Sequence, residues 1–142
     1  MNEKKMKNSS RKTGQYLFMA ILTLHALLCY FMGFSTLFNP SFSVKSGFNI
    51  DYTSDMKVLA LVIGMELLFL GSIAILGIIW TKRKSFYGIY AGAAVGLYML
   101  AFGIIAFLKF GTTEALMIDS IRGLLTLIFA FIAFKELKKQ IK

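Results

Sequence analysis

Four ionisable residues, His25, Glu66, Asp119 and Arg122, stand inside otherwise apolar stretches of this 142-residue chain. An imidazole exchanges protons near neutral pH, and a guanidinium offers a planar fork of donors suited to a carboxylate or another oxyanion. Asp119 precedes Arg122 by three residues, so on a helix the two lie on one side and can pair. These residue types in this setting point to two kinds of chemistry. One is an ion pair that sets helix packing and register. The other is a proton or anion site, in which His25 exchanges protons and Arg122 holds an anionic or quinone oxygen.

Other chemistry finds little support. One histidine and one cysteine, Cys29, do not supply a metal-ligand set, and no metal or cofactor is expected. Cys29 reads as a small apolar filler, and a lone cysteine forms no intramolecular disulfide. The chain contains no Walker loop, HExxH, dinucleotide glycine fingerprint or nucleophile elbow, which disfavours an enzyme.

The elements that must position these residues follow from hydropathy. The chain is 57% hydrophobic with a mean hydropathy of +0.68, more apolar than a soluble core of this length absorbs. A bilayer core of about 30 Å needs about 20 apolar residues of helix, and four runs meet that length: 16–38, 58–80, 86–108 and 115–134. The expected fold is all-α, an integral membrane bundle of four transmembrane helices in one domain, residues 1–142. The first run follows a basic stretch (Lys4, Lys5, Lys7, Arg11, Lys12) but outlasts the 7–15 apolar residues of a signal peptide, so it is expected to stay as a helix. Pro40 ends it. In the outer loop, 39–57, Phe42, Val44, Phe48, Ile50 and Tyr52 alternate with polar residues. That pattern is compatible with a short hairpin, with an interfacial segment lying over the bundle as a lid, or with a plain connector.

Counting about 1.5 Å per residue inward from the outer ends, Glu66 and Arg122 lie at one depth, about 12 Å, with His25 near the midplane. The expectation is a buried cluster: Glu66 and Asp119 flank Arg122, tying the second span to the fourth, with His25 just beneath.

The net charge of +9 is distributed by position. The basic residues of both tails and of the 81–85 loop fall on one side of four spans, and only Lys45, Lys57 and Lys109 lie opposite. By the positive-inside tendency both termini are cytoplasmic, and the basic ends meet anionic lipid headgroups. The charges gather on no soluble module, so nucleic acid is not an expected partner. Tyr16, Trp80 and Tyr87 sit where interfacial rings belong. The third span carries Gly88, Gly92 and Gly96, joined by Ala91, Ala94 and Gly103, in a small-residue pattern that permits close helix approach. It serves either packing within the bundle, with Gly64 and Gly71 of the second span as the facing surface, or a homodimer seam.

The order of these features resembles the DoxX-like group of small bacterial four-helix membrane proteins. The resemblance rests on Phe31-Met32-Gly33-Phe34-Ser35-Thr36-Leu37-Phe38-Asn39-Pro40 closing the first helix, Gly64-Met65-Glu66-Leu67-Leu68-Phe69-Leu70-Gly71 in the second, and Lys82-Arg83-Lys84 after it. Asp119-Ser120-Ile121-Arg122-Gly123 resembles an arginine-glycine element of related families. The resemblance implies a bacterial plasma-membrane location and an accessory subunit, associated in some members with quinone-linked sulfur or redox chemistry, with Glu66 at the acidic position. The first functional expectation is therefore a non-enzymatic subunit that binds a membrane-protein partner. The second is a protein that binds or moves a proton or small molecule (quinone, lipid or anion) through His25, Glu66 and Arg122. A membrane-embedded enzyme acting on lipid or quinone comes third.

Overall fold

Long runs of Leu, Ile, Phe, Ala and Met leave the backbone no water to bond, and a helix satisfies its amides and carbonyls within one segment. The computed structural model describes residues 13–48, 50–111 and 114–141. It contains α1 (Thr13–Phe38), α2 (Pro40–Phe48), α3 (Lys57–Lys82), α4 (Phe86–Phe110) and α5 (Glu114–Ile141), with a 3-10 turn at Ser54–Met56 and no strand among the described residues. Four of the helices, α1, α3, α4 and α5, are long and apolar enough to cross a membrane, so the chain is a multi-pass, all-α membrane protein. The basic residues Lys4, Lys5, Lys7, Arg11 and Lys12 lie outside the described residues.

The four long helices form a ring in which α1 packs on α3 and α5, and α4 packs on the same two. The pairs α1/α4 and α3/α5 are therefore diagonals. Glycine lets the helices approach closely at each seam. A Cβ added to Gly33 of α1 would lie 3.1 Å from the Gly64 carbonyl oxygen of α3, and one on Gly88 of α4 would lie 2.6 Å from that of Gly77 in α3. A Cβ on Gly123 of α5 would sit 2.6 Å from the Leu100 amide nitrogen and 2.7 Å from the Gly96 oxygen of α4. At the fourth seam, Gly14 of α1 abuts Ile132 and Glu136 of α5.

The α4 glycines thus serve packing within the bundle, but not against the expected surface. Gly64 and Gly71 face α1, meeting Leu37 and Gly33 in one case and Tyr30 and Cys29 in the other. Gly77 is the residue of α3 that meets α4, while Gly92 leaves room for Phe18 and Leu22 reaching across from α1. Gly103 is buried.

Two features depart from the hydropathy boundaries. The last helix continues past 134 to Ile141, because Lys and Glu favour helix as well as water and Leu137 is still fully buried. Its Glu136 carboxylate accepts the Gly14 and Gln15 backbone N–H groups (2.9 and 3.0 Å), which answers first-turn donors of α1 that the helix cannot satisfy itself. The outer loop is no hairpin. Asn39 accepts from Ser41 Oγ (2.9 Å) and from the Phe42 amide (3.4 Å), and Pro40 occupies the first helical position, so Asn-Pro both closes α1 and opens α2. Val44 is buried and Phe42 exposed, and α2 packs on α1 while touching α3 and α5 across the end of the bundle.

Because the methyl of Gly123→Ala would strike backbone, which cannot rotate away, this substitution should lower stability by about 1–3 kcal/mol. Gly71→Ala, whose methyl would meet side-chain atoms of Tyr30 and Cys29 at 3.2–3.3 Å, should lose much less. Thermal unfolding of the two variants in detergent checks the order.

Candidate functional site

On α5 the i,i+3 spacing brings Arg122 onto Asp119, and the guanidinium Nη2 donates to the carboxylate Oδ1 at 2.5 Å. The side chains are 14% and 25% exposed, so the pair is largely withdrawn from its surroundings. Within the guanidinium, Nε is buried and has no hydrogen-bond partner among the described residues.

One turn further on, Thr126 continues the polar chain. Its hydroxyl donates to the Arg122 carbonyl (2.8 Å), and with that single proton committed it accepts from His25 Nε2 at 2.7 Å. The bond assigns the imidazole proton to Nε2, and Nδ1 is left buried without a partner. A second relay of the same form joins α1 to α3: Ser72 donates to the Leu68 carbonyl (2.9 Å) and accepts from Tyr30 Oη (2.9 Å).

Beside the Asp119–Arg122 pair lies a cavity of about 260 Å³. Leu28, Cys29, Met32 and Thr36 of α1 form one wall, and Ile63 and Leu67 of α3 with Met99 and Phe102 of α4 form the others. Ser43 and Val44 of α2 close it toward the loop end, and Ile118, itself exposed, completes the lining beside the charged pair. The volume falls just below the roughly 300 Å³ at which pockets for drug-sized ligands begin.

The structure brings together only part of the expected cluster. Asp119 and Arg122 pair as their spacing requires, and Cys29 is a buried free thiol in the cavity wall. Glu66 does not meet Arg122. The second and fourth spans, α3 and α5, are diagonal, and Glu66 points outward, where it accepts from Tyr98 Oη of α4 at 2.5 Å. The two side chains leave their helices in different directions. His25 is fully buried against Thr126 and does not line the cavity, and the threonine links it to the Arg122 carbonyl.

Sequence reasoning missed Thr126 and Tyr98. Thr126 stands four residues after Arg122, the spacing at which a hydroxyl reaches back to a carbonyl, whereas nothing local marks Tyr98 as the partner of Glu66.

Thr126→Val keeps the shape but leaves the His25 N–H buried without an acceptor, and should destabilise the protein by about 1–3 kcal/mol. Thr126→Ser, which keeps the hydroxyl, should lie close to the parent in the same thermal unfolding measurement. No protein-family model matches the chain, and comparison with curated proteins and with solved structures likewise returns no match.

Proposed function

We propose that this multi-pass membrane protein binds a small amphipathic molecule, with the apolar body of the ligand in the cavity and an acceptor oxygen against Arg122. The observation that carries this reading is a cavity whose only charged lining among the described residues is the Asp119–Arg122 pair, with a buried guanidinium nitrogen that none of those residues bonds. Because Asp119 already balances the arginine, the site offers a hydrogen-bond donor more than a free positive charge. A neutral carbonyl, as in a quinone or a lipid ester, suits such a site better than a bare anion, whose desolvation it would not repay.

His25 and Glu66 fall outside this ligand site. In this reading His25 is a positioning residue, holding α1 to α5 through Thr126. The orientation proposed is the one the basic residues support: Lys82, Arg83, Lys84, Lys135, Lys138 and Lys139 at the cytoplasmic end, with both termini there, and α2 covering the cavity on the outer side. The DoxX-like resemblance adds a bacterial plasma membrane to the proposal. An accessory, partner-binding role is favoured by a different residue, Glu66, on the outward face of α3.

Removing one charge alone would strand the other, so the informative variant is the double substitution Asp119→Asn/Arg122→Gln. In isothermal titration of the detergent-purified protein, decylubiquinone should bind saturably to the parent and at least about tenfold more weakly to the double variant, roughly the value of one charge-assisted hydrogen bond. Dodecanoate should bind no better than the quinone. Absence of saturable quinone binding, or undiminished binding by a folded double variant, overturns the proposal.

A further inference from the structure

Glu66 stands on the outward face of the bundle, nine residues into α3 and so about 13 Å from its start at Lys57. It shares a helical stripe with Val62, Met65 and Phe69, which are 57%, 61% and 66% exposed, and Leu97 of α4 is exposed beside Tyr98. This is a surface made for acyl chains, apart from one carboxylate. Tyr98 donates to one oxygen of Glu66, and no other described residue bonds to the carboxylate. A carboxylate directed at lipid is unfavourable as an ion, and either a proton or a basic group outside the chain relieves that cost.

We infer that Glu66, held by Tyr98, is a docking point for a transmembrane helix of another protein that carries a lysine or arginine at the same depth. Charge complementarity selects this occupant. In low-dielectric surroundings a basic side chain gains far more from a carboxylate than it does in water, and interhelical polar contacts are a principal drive for association where the hydrophobic effect is absent. A second copy of the chain in the same orientation lacks the complementary group. Among the described basic residues only Arg122 lies within a span at this depth, and it is committed to Asp119 inside its own bundle. Lys57, Lys82 and Lys109 stand at helix ends. Gly88, Gly92 and Gly96, which would suit a homodimer seam, are likewise occupied by contacts within the ring.

The probe is a leucine-alanine transmembrane peptide with one lysine a third of the way along its apolar stretch, reconstituted with fluorophore-labelled protein in phosphatidylcholine vesicles. Energy transfer measures association. The lysine peptide is expected to associate at least about tenfold more tightly than its all-apolar counterpart, and than the same peptide with the lysine moved to one end. Glu66→Gln should abolish that preference while unfolding at the temperature of the parent, and Tyr98→Phe, which keeps the acid but frees its orientation, should weaken it. Equal association of all three peptides with the parent protein overturns the inference. So does energy transfer between protein molecules that Glu66→Gln removes, since a second copy would then be the occupant.

Discussion

A guanidinium inside a bilayer has to be answered by the protein that carries it, and the way Arg122 is answered organises much of this bundle. Asp119, one turn away on the same helix, takes the charge. The Arg122 carbonyl receives Thr126, and Thr126 in turn accepts His25 from α1, so the element that carries the arginine is also the one clamped across a seam of the ring. Neutralisation within a single helix has a structural consequence: no other helix must supply the countercharge. The wall opposite the pair is therefore free to be apolar, and it is built from α1, α3 and α4 residues around an open volume.

That volume persists because the rest of the ring is closed by something other than side-chain bulk. Glycines at three of the seams set helices almost backbone to backbone, at Gly33 and Gly64, Gly77 and Gly88, and Gly96 and Gly123, while Gly14 at the fourth meets side chains. Near the end where α1 begins and α5 finishes, Phe18, Leu22, Val95, Ala133 and Leu137 fill the interior, and the tilted Phe86–Phe134 ring pair, centroids 5.3 Å apart, packs against them. Toward the other end the filling becomes sparser, with Cys29, Leu70 and Met99 as the last buried layer before the cavity. Helix α2 then lies across the opening, placed there by the Asn39 cap and by burial of Val44. The interior is thus dense at one end and open at the other, as the proposed ligand binding requires.

The four spans were legible because hydrophobic runs of this length have one physical outcome, and α1, α3 and α4 begin and end within a few residues of the hydropathy boundaries. The end of α5 was not, since a run of Lys and Glu stops hydropathy without stopping a helix. Residue counts carry no information on rotation about each helix axis. Glu66 and Arg122 were placed at compatible levels, yet nearly featureless amphipathicity in spans that are apolar all round gave no face to align, and the two side chains point in different directions. The contrast with Asp119–Arg122 is instructive: a contact set by spacing on one helix can be read from sequence, and a contact between helices requires knowing which are neighbours. Asn39–Pro40 carried more information than its reading as a helix stop, because the same dipeptide is a helix start.

In the proposed reading the cavity beside Arg122 holds a molecule in the native membrane. Native mass spectrometry of the intact protein, released gently from cells that express it, tests this most directly. The expected result is a stoichiometric adduct of one small amphiphile on the parent protein that is missing from Asp119→Asn/Arg122→Gln. A parent protein that emerges without any adduct, or a double variant that retains the same one, contradicts the claim.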